Sequence, residues 1–355
     1  MDSQSTPATA STGIFMNEVN PGYSLCPQRM KHGQGTFGGW IELRNPKSGK
    51  WVPFGITCSH CVFPPDTDLS PEEIQVVQRW KESGFPFNND KASQLLMMDS
   101  PSRRGVKREI ENLARRIDAY QNQPPFPKVE EAKARGDFVI PEDERQWKVA
   151  SDMLAKLKEQ RDTGKEFFHK NRFVFGPVVA ASGLQERPMK TTLARDPTAL
   201  LSIIDWALVK PQNRSVGTNN VAAHRSLGVS KLNGFSLCGI QNGDELFKVG
   251  CATGFTGGIY SGLQTIYIAT RLVDGREMKI KTWEHTILAR SLSQVVVEQG
   301  DSGSLVFNRL GAVVGMCFGG TYYGDAGFFT HAVDLIESIQ EVTGVREVRL
   351  RRADE

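Results

Sequence analysis

Short β-like runs cut by Gly and Pro lie on both sides of one charged, helix-prone block, and this pattern restricts the fold more than any other feature. Before the block, Thr36 to Leu43 and Trp51 to Thr57 flank the turn-forming Asn45 to Lys50 and read as a hairpin. After it come Phe173 to Ala180, Leu200 to Val209, Glu245 to Val249, Gln264 to Ala269, Glu277 to Ile280, Ser293 to Val297, Ala312 to Phe318 and Ala326 to Thr330. A helical pattern from Val333 to Val342 closes the series. Many short strands without β-α-β alternation predict an all-β sandwich or barrel. The block begins after Pro64-Pro65-Asp66 and ends near Lys170. Ser70-Pro71-Glu72-Glu73 is a helix start, with a capping serine and Pro at the first helical position. Ile110, Leu113, Ile117 and Tyr120 form one apolar stripe, and Trp147, Ala150, Leu154 and Leu157 another. With the Pro-rich Gln123 to Lys128 between them, the stripes predict an antiparallel, coiled-coil-type helical hairpin. The two stripes pack on each other in the plainer reading; the sharper one makes the block a lid or a partner-docking arm.

At 355 residues there is chain for one large or two medium domains. Hydrophobic content of 39% and charge of 23% are ordinary for a globular protein, and a net charge of +3 calls for neither nucleic acid nor a membrane as partner. Met1 to Gly13 is Ser/Thr/Ala-rich and lacks the apolar core of a signal peptide, so residues 1–12 read as disordered. No apolar run approaches the ~18 residues of a spanning helix, and the expected location is cytoplasmic. The six cysteines are too few for a disulfide scaffold. Cys58 and Cys61 have CxxC spacing around His60 but lack a second ligand pair, so neither a metal nor a cofactor is expected. Arg346, Arg349, Arg351 and Arg352, interleaved with acids, read as a solvated tail.

The chemistry centres on Gly300-Asp301-Ser302-Gly303-Ser304, entered by Gln294 to Val297 and left by Leu305 to Phe307. An ordinary β-turn is the plainer reading. The sharper one is a nucleophilic serine exposed at a bend, with the Gly300 and Ser302 amides converging as an oxyanion hole. A serine hydroxyl needs a base within hydrogen-bond reach. His60, in Thr57-Cys58-Ser59-His60-Cys61, ends an apolar run among small residues. Asp205 sits inside the apolar run Leu200 to Val209, where a buried charge needs a partner, and an imidazole N–H suits it.

Thr57-Cys58-Ser59-His60-Cys61, Ile204-Asp205-Trp206-Ala207-Leu208 and Gly300-Asp301-Ser302-Gly303-Ser304 together resemble the His, Asp and Ser motifs of the trypsin/chymotrypsin-like serine peptidases, in the family's order. Lys248 to Gly258 is similar to a Gly-Thr-Thr-Gly hairpin of intracellular and microbial members, and Gly327-Phe328-Phe329-Thr330 to the family's penultimate strand. The resemblance covers about residues 13–65 and 171–342. It implies a mainly β, double β-barrel chymotrypsin-like fold, with the helical hairpin as an insertion that lengthens the His60–Asp205 interval by roughly a hundred residues without bearing on a triad's geometry. The implied domains are a first barrel from 13–65 and 171–225, a helical insertion at 66–170, a second barrel with its helix at 226–345, and the tail 346–355.

The resemblance also implies roles. Ser302 attacks the scissile carbonyl, His60 takes and returns the proton, Asp205 holds the imidazole, and the Gly300 and Ser302 N–H groups bind the oxyanion. Its specificity pocket would have Val296 as floor, with Phe318, Gly319 and Gly327 in the walls; an apolar floor favours large apolar side chains over Lys or Arg. The substrate would be a protein or peptide. Two departures stand out: Cys61 lacks the family's disulfide partner, and no activation site supplies a new N-terminus to pair with Asp301. His331 reads as structural, and Gly254 to Gly258 as a hairpin turn rather than a phosphate loop. The competing functional expectations are a catalytically silent protease-like module that binds proteins through its cleft or insertion, and an esterase on the same triad.

Overall fold

The apolar run around Trp40 folds back on itself as β3 (Gly39–Arg44) and β4 (Trp51–Thr57), paired antiparallel from Gly39↔Ile56 to Arg44↔Trp51. Asn45 makes the turn, its side-chain carbonyl accepting from the Lys47 and Ser48 amides, which is how Asn replaces a backbone acceptor in a tight bend. The computed structural model that shows this describes residues 15, 17–30, 33–191, 200–221, 229–273, 276–291 and 293–352. The chain divides into two compact units, one of Glu18–Pro101 with Val174–Glu355 and one of Met1–Asn17 with Ser102–Phe173. The expected disordered residues 1–12 lie outside the described ones.

The larger unit is mainly β. Its first sheet adds β1 (Ser24–Pro27), β2 (Gly35–Thr36), β5 (Met97–Asp99), β6 (Val174–Ala181), β9 (Ala207–Val209) and β17 (Val348–Leu350), in the order β17-β3-β4-β9-β6-β5-β1-β2. The stretch 35–44 pairs with β1 at its start and with β4 from Gly39 onward, so the sheet curls until its β2 margin runs directly into β3, the strand beside the other margin. Gly38 permits the bend, since a Cβ there would lie 2.2 Å from the Gly303 carbonyl oxygen. A two-stranded ribbon, β7 (Gln185–Pro188) with β8 (Leu201–Ile204), follows. The second sheet runs β10 (Gly234–Phe235), β15 (Ala312–Gly320), β14 (Leu305–Asn308), β11 (Glu245–Gly250), β12 (Gly254–Val273), β13 (Arg276–Leu288) and β16 (Ala326–His331). An additional β15–β16 pairing returns this order on itself. Phe247, Phe307, Phe318 and Phe328 share one buried cluster with Ile56, Ile204, Trp206 and Leu208, so residues of both sheets pack in one core.

Several runs differ from expectation. Leu200 to Val209 is two strands, broken at Asp205-Trp206, because the two halves join different partners. Ser293 to Val297 forms no strand; the Val296 amide bonds instead to the Gly324 carbonyl at 2.7 Å. The short runs at Gln264 and Glu277 belong to one long hairpin, β12–β13. The solvated tail is corrected most plainly: β17 pairs with β3, and Arg349 and Arg351 reach the buried Glu42 at 2.8 and 2.5 Å. A carboxylate inside the sheet needs this cationic match.

The helical block also divides. α1 (Pro71–Ser83) has the expected capping box between Ser70 and Glu73. Its Val77 and Trp80 join Phe85, Val178 and Ala181 in the larger unit's core, near α2 (Asp90–Leu95). The smaller unit holds α3 (Arg103–Asn122), α4 (Phe126–Arg135) and α5 (Pro141–His169). Leu113, Ile117, Leu154 and Leu157 form its core, with Phe15, Tyr120 and Phe126 against it. The Pro-rich joint is itself the start of a helix, since Pro127 lies in the first turn of α4, where a missing N–H costs nothing. α6 (Ala332–Thr343) ends the larger unit's helices, with His331 as its N-cap. Among the described residues no helix is long and apolar enough to cross a membrane.

Asp99 faces Val174 across the β5–β6 ladder. Replacing residues 102–173 by a short turn should therefore leave a cooperatively unfolding protein with native near-UV circular dichroism; a loss of that signal would show that the larger unit needs the helices. Removing residues 346–352 should cost about 3–5 kcal/mol in urea unfolding, because Glu42 would stay buried without either arginine.

Candidate active site

The end of β4 and a 3-10 turn, Ser59–Cys61, carry His60 to the surface, where its side chain is 42% exposed. The break between β8 and β9 turns Asp205 toward it. The Trp206 amide bonds to the Ser182 hydroxyl at 2.8 Å and its indole N–H to Ser338 at 2.9 Å, which fixes the break. The fully buried Asp205 carboxylate accepts from the His60 amide at 3.0 Å and meets His60 Nδ1 at 2.5 Å. Ser302 lies in the turn after Gly300; its carbonyl accepts from the Thr36 amide at 2.8 Å. Its hydroxyl donates to the Phe318 carbonyl at 3.0 Å. Thr36 ties the parts together: its hydroxyl donates to the Gly300 carbonyl at 2.8 Å, and its own carbonyl accepts from the Thr57 hydroxyl at the end of β4.

Gly300 has φ +111° and Gly303 φ +97°, conformations open to glycine. The Asp301 amide bonds to the Glu298 carbonyl and the Ser304 amide to the Asp301 carbonyl, so the peptide planes on both sides of Ser302 are held. Among the described residues, neither the Gly300 nor the Ser302 N–H has a protein acceptor. That leaves two backbone N–H donors, on either side of Asp301, in the turn that carries Ser302.

Electrostatics sharpen the histidine. Burial would depress the His60 imidazole, but the negative charges of Cys61 and Asp205 hold it well above the ordinary histidine value. The Cys61 thiol is drawn down to about 6, first by its hydrogen bond from Cys58 and then, against burial, by His60. Burial pushes Cys58 up. All six cysteines are free. Cys58, His60 and Asp205 have potential metal-ligating atoms within 4.8 Å of one another, yet Cys58 already donates to the Cys317 carbonyl and Asp205 is engaged by His60.

Other histidines take other work. His285 is buried between the Tyr260 hydroxyl and Thr191, and burial lowers it to about 3. His331 is buried, accepts from the Val333 amide, and is lowered by burial to about 4. His169 ends α5, and His32 and His224 lie outside the described residues.

Of the expected pocket residues, Val296 is 1% exposed and packs in a cluster with Tyr260, Ile287 and Phe329. A Cβ on Gly327 would lie 3.6 Å from Val297 and 3.8 Å from Val296. Phe318 is buried and supplies its carbonyl to Ser302, while Gly319 has open space where a Cβ would stand. Val297 is the residue sequence reasoning passed over: its Cγ1 lies 2.1 Å from where a Cβ of Gly320 would be. Lys248 was passed over as well. It is 1% exposed and ion-paired to Asp301 at 2.8 Å, answering the question of what Asp301 pairs with. The signal was present, since Lys248 follows Leu246 at the two-residue strand interval and so shares its inward face.

Residues 209–347 match the sequence model of Peptidase family S64. None of the curated proteins compared matches the chain. Among solved structures the chain is similar to the Nocardiopsis protease NAPase, at 13% identity and TM-score 0.40, covering 94% of this chain and 99% of that one. It is also similar to Thermobifida fusca Protease A, at 10% identity and TM-score 0.38, covering 90% and 95%. The family match falls across the second sheet and the serine turn and supports a serine-type peptidase.

Proposed function

We propose that the protein is a serine endopeptidase built on two β-barrels, with Ser302 as nucleophile, His60 as general base and acid, and Asp205 as the group that orients His60. The observation that carries this is the 2.5 Å contact from His60 Nδ1 to the buried Asp205. With its Nδ1 proton held by the carboxylate, the imidazole keeps its lone pair on Nε2, on a ring open to solvent. Ser302 Oγ attacks the substrate carbonyl carbon as its proton passes to Nε2. The oxyanion is received by the Gly300 and Ser302 amides. Collapse expels the amine, which takes the proton from His60, and leaves an ester on Ser302. Water, deprotonated by the same Nε2, then hydrolyses the ester and restores the hydroxyl.

Val296 and Val297 offer no carboxylate to a cation, which supports cleavage after apolar residues rather than after Lys or Arg. Val297 beside Gly320, Gly324 and Gly327 favours a smaller side chain than a floor of Val296 alone would take. One observation favours the alternative, a silent module binding proteins through its cleft or helices: the Ser302 hydroxyl rests on the Phe318 carbonyl rather than on His60. Catalytic hydrogen bonds commonly tighten only with substrate bound.

A fluorophosphonate probe should label the protein and leave Ser302→Ala unlabelled; a folded but unlabelled wild type supports the silent module. Peptides with apolar residues before the cleaved bond should be cut in preference to Lys or Arg peptides. General-base catalysis needs neutral His60, so kcat/KM should fall as pH drops through a histidine pKa above the ordinary range. Cys61→Ser removes a negative charge that raises this pKa, and its acid limb should move to lower pH.

A further inference from the structure

Three apolar residues in a row, Phe138-Val139-Ile140, join α4 to α5, and water reaches most of two of them: Phe138 is 84% exposed and Ile140 58%. A single apolar side chain on a surface needs no explanation, whereas an exposed run of them marks a surface built for contact. The run is held at both ends. Gly136 ends α4 in the left-handed conformation, φ +75°, and the Asp137 amide bonds back to the Ala132 carbonyl at 2.8 Å. Pro141 starts α5 directly after Ile140, whose carbonyl accepts from the Glu144 amide at 3.0 Å.

The other end of α4 borders a cavity of about 340 Å³, lined by Tyr120, Pro124 and Phe126 around the α3–α4 joint and by Arg145, Val149 and Met153 of α5. Val149 is 66% exposed and Met153 36%, so this apolar lining is open to water as well. Run and cavity belong to one rigid piece. The Trp147 indole N–H donates to Glu130 at 2.6 Å, Lys133 pairs with Glu144 at 3.0 Å, and the Lys133 ammonium lies 3.5 Å from the centre of the Trp147 ring. α4 is thereby fixed along α5.

α4 has 10 residues, which sets the run and the cavity about 15 Å apart along its axis. A two-fold axis across the middle of α4 carries each copy's run to the other copy's cavity. The same patch then serves both partners, and the assembly closes at two. The charges agree with this register. Asp137 immediately precedes Phe138, and Arg145 brings a positive charge to the cavity lining. Arg145 is otherwise paired at 3.3 Å with Glu142, an exposed pair that costs little to exchange. We propose that the helical unit is a dimerisation surface: a second copy of this chain fills the cavity with Phe138 and Ile140, sets its Asp137 against Arg145, and offers its own cavity in return. The pairing stands apart from the peptidase chemistry above.

Sedimentation velocity of the full chain across a concentration series reads the dimer directly, with circular dichroism confirming that each variant is folded. The wild type should pass from monomer to dimer as concentration rises. Phe138→Ser should raise the dimer Kd about 30-fold or more, the scale of a lost aromatic anchor. Asp137→Arg and Arg145→Asp should each raise it about 10-fold by setting like charges against each other. The double reversal should bring it back toward the wild-type value, and it gives the answer even if Phe138→Ser does not fold. A wild type still monomeric at about 100 μM, where even a weak dimer shows, would overturn the inference and leave the cavity to a different protein. A dimer that Phe138→Ser leaves intact, or a double reversal no tighter than the single ones, overturns it equally.

Discussion

A carboxylate taken out of water has to be matched, and three matched carboxylates organise this protein. Asp205 is matched by the imidazole and amide of His60. Asp301 is matched by Lys248, Thr253 and three amides. Glu42 is matched by Arg349 and Arg351. The imidazole or cation in each case comes from a distant part of the chain, so each pair reports that the surrounding strands are in register. Loss of one partner leaves an unmatched charge, and that penalty is steeper than the loss of an ordinary contact. A fourth buried carboxylate, Glu284, shows the alternative: with neutral donors such as Ser202 and the Ile203 amide in place of a cation, it is pushed by burial up to about 7.

Thr36 does comparable work with neutral groups. Its amide, hydroxyl and carbonyl reach Ser302, Gly300 and Thr57, and its hydroxyl also accepts from the Cys251 amide. One residue at the bend of 35–44 thus links the histidine strand, the serine turn and the turn that feeds Asp301. Curling both sheets brings these short-range bonds together without a long loop carrying any of them.

Much of this was legible in the residues. Gly- and Pro-cut apolar runs mark strands because few other structures use such short runs, and most appear where the pattern put them. Asp205 is conspicuous as the one acid in an apolar run, although the break between β8 and β9 is not, since pairing partners are a property of the sheet. Ser293 to Val297 has strand composition but is held by the Gly324 carbonyl instead. The helical stripes were readable from their period, whereas α4 hid behind its prolines, which begin helices as readily as they end them. Lys248 reads only as the start of a hairpin, and the arginines near residue 350 as a solvated tail. Their acids lie 53 and about 300 residues away, and nothing local shows that a cation will be buried.

The pairing of β17 with β3 has a consequence for how the protein is made. Ribosomal synthesis is vectorial, and domains ordinarily fold as they emerge. Here Glu42 waits for Arg351, 309 residues downstream. The first sheet, which carries His60, therefore stays incomplete while the second sheet, which carries Ser302, is still being translated.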